Sequence, residues 1–393
     1  MINSHNPPPI ISKDQPAGLY VHTPFCLAKC LYCDFYSTAD LSFKTEFIDA
    51  LVGEMEMRGS DGLEFDSLYI GGGTPSVLEG EEIRRIIEAA RRRFCILADA
   101  ETTLEANPGT LGPDTLSAWR DAGANRINIG VQSFRDKNLE FLGRIHTGRD
   151  AALALETARN SGFTNIGADL VYGLPDQIRE NWLRDLAQVV EFGPEHLSCY
   201  MLTYEPGTPL NKSRLDSRFR PLPDDQVGDL FETARAFLSR SGYHQYEISN
   251  FARSSSEGPE AFRSRHNQKY WSHAPYTGLG PSAHSFDGKQ RQWNVSSVKQ
   301  YIAHLSSGRL PVAEKESLSR EQLMMEAVFL GLRQTRGISV DEFDRNHGVR
   351  FKTKFGEALN TLEGKGYIEL TENRCALTSR GMLFLDSIVA MLL

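Results

Sequence analysis

Between residues 19 and 202 the sequence alternates six short apolar runs with five longer helix-like stretches. The apolar runs are LYVHT, SLYIGGG, TTLEANP, RINIGVQS, IGADLVYGLP and HLSCYML, and each closes on glycine, proline or polar residues. Runs this short and apolar read as strands. Between them, residues 43–58, 81–94, 113–122, 150–161 and 178–192 carry helical spacing. Strands alternating with helices of this length pack as parallel βα units. Six units fall short of the ~250 residues that a closed eightfold barrel needs. The expected fold is therefore α/β, a partial (β/α)6 barrel. Chemistry in such folds sits at the carboxyl ends of the strands. That rule places Thr23, residues 71–74, Glu105, Gln132 and Asp169 on the functional face.

Beyond the barrel core (18–202), residues 203–316 read as a less regular extension. It has a helix near 226–239, a polar exposed loop, and the runs HNQKYW and YTGLGPSAHSF. Residues 317–393 read as a separate, mainly helical unit resembling a winged helix: helices near 320–332 and 352–363, two short strands in YIEL and RCALT, and a last helix over 379–391. A winged helix raises the question of nucleic acid. The chain carries 43 Lys and Arg against 51 Asp and Glu, a net charge of −8, which disfavours that partner. Asp341, Glu342 and Asp344 lie in the unit itself. A hydrophobic content of 40% excludes disorder along the whole chain. No apolar run approaches the ~18 residues of a membrane span, which leaves room for a transient association with a membrane surface. Residues 1–17 read as a flexible lead, neither a secretory signal nor a transit peptide, so the expected location is cytoplasmic.

Three of the six cysteines, Cys26, Cys30 and Cys33, crowd into a C-x3-C-x2-C loop just after the first strand. The other three, Cys95, Cys199 and Cys375, are scattered and read as small buried hydrophobes. Structural zinc takes four ligands, and His22 could supply a fourth. An iron–sulfur cube held by three cysteines leaves one iron open to a small chelating molecule. The spacing alone leaves both open.

The cysteine loop after a first barrel strand resembles the signature of the radical S-adenosylmethionine (SAM) superfamily. The resemblance implies a [4Fe-4S] cluster on Cys26, Cys30 and Cys33, with the amino and carboxylate groups of SAM on the fourth iron. Downstream stand Gly71-Gly72-Gly73-Thr74-Pro75, Glu105-Ala106-Asn107-Pro108, Gly130-Val131-Gln132-Ser133, Leu142-Gly143-Arg144-Ile145-His146 and the run from Asp169 to Pro175. In order and spacing these resemble the branch that joins oxygen-independent coproporphyrinogen III oxidase (HemN) and the HemW heme chaperones. The resemblance implies SAM contacts at Tyr20, Gly72, Gly73, Thr74, Glu105, Gln132, Arg144 and Asp169, with Tyr32 against the adenine. The residue types suit SAM: an arginine fork for its carboxylate, and acids and an amide for its ammonium and ribose hydroxyls.

Two features separate the members of the branch. HemN-type oxidases carry a fourth cysteine two residues after the third, where this chain has Phe35; they also have a longer N-terminal extension. The run His266-Asn267-Gln268-Lys269-Tyr270-Trp271 matches the H-N-x-x-Y-W motif of the heme chaperones. His266, Tyr270 and Trp271 are thus expected heme contacts, with the rings suited to stacking, while the motif does not single out the axial ligand of the iron. The resemblance implies a heme chaperone that binds cluster, SAM and heme and delivers heme to acceptor proteins, respiratory enzymes among the candidates. The alternative is radical oxidative decarboxylation of coproporphyrinogen III to protoporphyrinogen IX. His146 reads as support for Arg144, and His284 as either structural or facing the cofactor cavity.

Overall fold

A computed structural model describes residues 15–59, 62–258 and 260–392. Most of the lead expected over 1–17 lies outside the described residues.

The six sequence repeats form the strands β1 (Ala17–Thr23), β2 (Glu64–Gly72), β3 (Cys95–Ala106), β4 (Arg126–Gln132), β5 (Ile166–Tyr172) and β6 (His196–Met201). They lie side by side in chain order, all parallel. The helices between them are α1 (Lys44–Arg58), α2 (Gly80–Arg93), α3 (Pro113–Asp121), α4 (Asp136–Leu142), α5 (Gly148–Asn160) and α6 (Arg179–Glu191). Nearly every residue of β1, β4 and β5 is buried, as a parallel sheet covered on both faces requires. The helices pack through one stripe each. In α2 the stripe is Ile83, Ile86, Ile87 and Ala90, at helical spacing, while its arginines face outward.

The fold is the expected partial barrel, and the sheet does not stop at β6. The extension supplies α7 (Pro209–Leu215), α8 (Asp224–Arg240), β7 (Tyr243–Gln245), β8 (Asn250–Arg253), α9 (Arg265–Trp271), β9 (Tyr276–Leu279), β10 (His284–Phe286), β11 (Gln290–Asn294), α10 (Val298–Ser306) and β12 (Val312–Ser317). Among the described residues twelve strands make one open sheet, in the order β12-β11-β10-β9-β1-β2-β3-β4-β5-β6-β8-β7. The edge strands are short and polar (β12 is largely exposed), so they carry none of the apolar signal that marked the centre. The HNQKYW run, which carries the expected heme contacts, lies in the helix α9.

The C-terminal unit contains α11 (Arg320–Arg333), β13 (Ile338–Ser339), α12 (Val340–His347), α13 (Phe351–Lys354), α14 (Gly356–Gly364), β14 (Ile368–Leu370), β15 (Arg374–Leu377), α15 (Ser379–Met382) and α16 (Leu385–Leu392). Three strands and surrounding helices give the winged-helix-like shape. The expected last helix is broken at Leu383 and Phe384, both exposed. Arg333 joins the unit to the sheet: it pairs with buried Glu247 at 2.7 Å and stacks over the Trp271 ring at 4.4 Å. Gln334 adds a donor to the Trp271 carbonyl at 2.7 Å. Cys199 and Cys375 are buried as expected, but Cys95 is exposed at the start of β3, opposite Glu64 of β2.

Candidate cofactor site

The cysteine loop leaves β1 at Thr23 and folds back over the end of β2. The Thr23 hydroxyl donates to the Gly71 carbonyl at 3.0 Å. Gly73 N–H donates to the Thr23 carbonyl and Thr74 N–H to the Phe25 carbonyl, both at 2.7 Å. This approach is too close for side chains. A Cβ on Gly73 would lie 2.6 Å from the Phe25 carbonyl oxygen, and one on Gly72 2.7 Å from the His22 ring. Gly72 also has φ +107, a backbone conformation that favours glycine. The loop is tied on its far side as well: Leu31 N–H donates to the Leu142 carbonyl, and Leu210 N–H to the Leu31 carbonyl.

A polar network grips two of the three cysteines. Arg144 donates to Cys30 Sγ at 3.4 Å, to Asn107 Oδ1 at 2.6 Å and to the Gly130 carbonyl at 2.9 Å. Asn107 donates to Thr74 Oγ1 at 2.8 Å, and Thr74 donates to Cys26 Sγ at 3.4 Å. Hydrogen bonds to ligand sulfurs are one means by which proteins tune an iron–sulfur cluster. His146 supports this corner by hydrogen-bonding the Val131 carbonyl at 3.1 Å. Burial, with Arg144 beside it, holds its pKa down to about 4.

Gln132 sits where β4 departs from regular pairing with β5, and its φ is +65. A bulge next to a site commonly re-aims a side chain, and positive φ in a non-glycine residue costs energy. Glu105 accepts from the Tyr69 hydroxyl at 2.6 Å and from Gly72 N–H at 3.2 Å. Burial pushes its pKa up to about 7, against the pull of those donors. Asp169 accepts from Asn128 at 2.7 Å through one oxygen. The other oxygen, Oδ1, is buried and has no hydrogen-bond partner among the described residues.

These groups line one cavity of about 890 Å³. That is the upper part of the ~300–1,000 Å³ range of small-molecule sites. Cys26, Cys30, Cys33, Tyr32, Gly72, Gly73, Thr74, Glu105, Gln132, Arg144 and Asp169 all reach its wall. Its wall also contains the apolar side chains Met201, Phe231, Leu383 and Phe384 and the ring of Tyr200. Phe35 lies on the wall and is 69% exposed, the largest such side chain beside the cysteines.

Four expected site residues are not on that wall. Tyr20 is half-buried, with its hydroxyl on His22 Nδ1 at 3.0 Å. His266 is buried, and both its ring nitrogens have partners: Ser67 Oγ at 3.1 Å and Tyr270 Oη at 3.0 Å. Tyr270 is committed to that contact, and Trp271 to Arg333. Tyr270 and Trp271 keep part of their surface exposed, and the Trp271 indole N–H has no hydrogen-bond partner among the described residues. His284 is exposed and stacked on Trp293, away from the cavity.

The donor set fits a cluster better than a single zinc ion. Among the described residues no three His, Cys, Asp or Glu side chains converge on one metal position. His22, the candidate fourth zinc ligand, spends its ring nitrogens on Tyr20 and the Tyr36 carbonyl. In a cubane each cysteine binds a different iron, so the sulfurs need not converge. The side-chain-free cradle at 71–73 and the unpaired Asp169 oxygen fit a polar organic ligand beside it.

Glycine cradle, three-cysteine loop and strand-end acids on a partial βα barrel together define a radical SAM type of site. Residues 20–189 match the Radical SAM superfamily, and residues 318–384 match the HemN C-terminal domain. The chain belongs to the radical SAM superfamily, in the branch that contains HemN and HemW. The heme chaperone HemW of Bacillus subtilis (strain 168) is 34% identical over 368 residues, covering 93% of this chain and 96% of that protein. HemW of Escherichia coli (strain K12) is 40% identical over 277 residues, covering 68% and 70%. Among solved structures, the radical SAM enzyme coproporphyrinogen III oxidase (HemN) from Escherichia coli aligns with a TM-score of 0.81 at 25% identity, covering 97% of this chain and 90% of that one.

Sequence reasoning passed over Tyr69, Asn107 and Asn128, which hold the cavity-lining Glu105, Arg144 and Asp169. Asn107 stood inside a quoted motif and Asn128 at an alternate position of a quoted strand, so period-two alternation was the available signal. The part of the wall formed by 382–387 had no local signal at all.

Proposed function

We propose that this chain is a cytoplasmic heme chaperone. It holds a [4Fe-4S] cluster on Cys26, Cys30 and Cys33, binds SAM beside it, binds heme, and passes heme to an acceptor protein. The reading is carried by likeness over more than nine tenths of both chains to a protein described as a heme chaperone. Phe35, where the oxidase has a further cysteine, supports it. When bound, the cluster supplies an open iron for the chelating groups of SAM and an electron.

The chain's own residues do the rest. Arg144, Asn107 and Thr74 hold two cysteines in place through hydrogen bonds. Glu105 and Asp169 Oδ1 accept from the ammonium or ribose of SAM, and Gln132 is turned into the cavity to join them. Gly72 and Gly73 let the backbone approach it, and Tyr32 flanks the adenine. No helix among the described residues is long and apolar enough to cross a membrane.

The test is heme retained per chain after anaerobic cluster reconstitution, addition of hemin and desalting. Retention near one per chain is expected; none, with cluster and fold intact, overturns the reading. The oxidase reading is favoured by the structural likeness to HemN. It predicts protoporphyrinogen from coproporphyrinogen III, SAM and a reductant; no product is expected from this chain.

A further inference from the structure

The HNQKYW helix packs beneath the cofactor end of the cavity rather than opening onto it. His266 enters from α9 between β1 and β2. Its ring lies nearly parallel to Tyr69, with centroids 5.1 Å apart at 26°, and to Tyr20, at 6.0 Å and 27°. Tyr20 and Tyr69 stack in turn at 6.2 Å. The three rings form a packed triangle. Ser67, one of the two hydroxyl partners of His266, is two residues before Tyr69 and on the same face of β2. The His266 backbone N–H donates to Glu101 on β3 at 3.3 Å, and Lys269 pairs with Asp66 on β2 at 2.6 Å. The fit leaves no slack: a Cβ on Gly18 would lie 3.0 Å from the His266 ring.

Tyr69 carries this packing to the ligand side. Its hydroxyl holds Glu105 Oε1 at 2.6 Å, while Gly72 N–H holds the other oxygen. The carboxylate is aimed from two directions, and the Tyr69 ring is packed against His266. Gly71 shows how tight this layer is, since a Cβ there would lie 2.8 Å from both the Tyr69 ring and Glu105.

We propose that His266 is a positioning residue for SAM: through Tyr69 it fixes the carboxylate of Glu105 against the ligand. This rests on the reading that the Glu105 end of the cavity binds SAM. Burial keeps His266 neutral, its pKa lowered to about 3, so one ring nitrogen donates and the other accepts.

The experiment is calorimetric titration of SAM into the anaerobically reconstituted full chain. The variants are His266→Leu, His266→Gln, Tyr69→Phe, Glu105→Gln and the double variant His266→Leu/Glu105→Gln. His266→Leu and Tyr69→Phe are each expected to weaken SAM about tenfold, the loss of one well-placed charge-assisted contact. Cluster content should be unchanged, and His266→Gln, which keeps an amide at the Ser67 side, should recover part of the loss. In the Glu105→Gln background the effect of His266→Leu should nearly vanish, because residues acting through one group are not additive. An equal loss in both backgrounds overturns the proposal, as does loss of heme with SAM affinity intact, which would make His266 an iron ligand. If His266→Leu does not fold, the cycle is run with Tyr69→Phe and His266→Gln. The SAM reading fails separately, if Glu105→Gln binds SAM as the parent does.

Discussion

At the scale of residues, the site is a set of groups held against their preferences. Glu105 is a carboxyl whose folded pKa is about 7, above its ordinary 4.5, because burial disfavours the charge. The fold therefore favours its neutral form. That contribution to stability is complete below about pH 4.5 and is lost as pH rises through 7. Glu105→Gln should gain on the parent across this window, by up to about 1.4 kcal/mol per pH unit. Urea denaturation of the cofactor-free protein at about pH 5 and about pH 8 reads the difference; a constant gap would refute it. Gln132 carries a different strain, its positive φ. Gln132→Gly should stabilise the fold by about 1 kcal/mol while weakening SAM, so that melting temperature and affinity move in opposite senses. Cys30→Ser should abolish the broad visible absorption of the cluster, and a full cubane in that variant would refute the ligand assignment.

At the scale of elements, legibility followed apolar content. The six central strands were readable because both faces are covered, and the helices between them because each shows one apolar stripe. Their strand ends were readable too, and Gly72, Gly73, Thr74, Glu105, Gln132 and Asp169 from that reading stand on one wall with the cysteine loop, Tyr32 and Arg144. The edge strands β9 to β12 were not, since half-exposed strands of three to six residues carry mixed side chains. Helix α4 was missed for its seven residues, too few for a periodic signal. Local chemistry can still be read inside an element. The turn into α5 is a capping box in which Thr147 and Asp150 exchange hydrogen bonds. Thr147→Ala should cost about 1 kcal/mol in thermal or urea unfolding, with little change in cofactor binding. A much larger loss would mean that α5 also braces the Arg144 loop just before it.

At the scale of the whole molecule, the C-terminal unit is part of the site. Residues 382–387 stand on the same wall as the cysteines, and no local pattern at either end of the chain announces that meeting. Arg333 is the junction. Arg333→Met leaves the Glu247 carboxylate buried and unpaired, which should cost about 3–5 kcal/mol. Pairing it with Glu247→Gln should restore much of that, measured by urea unfolding of both variants; no recovery would show that the stacking on Trp271 matters more than the ion pair.

The shared wall also sets an order of events during synthesis. The cysteine loop is made before the segment at 382–387 that stands on the same wall, on the order of 20–70 s earlier at typical elongation rates. In that interval the wall beside the cysteines lacks Leu383 and Phe384, so the nascent chain holds a trough where the folded protein has a chamber.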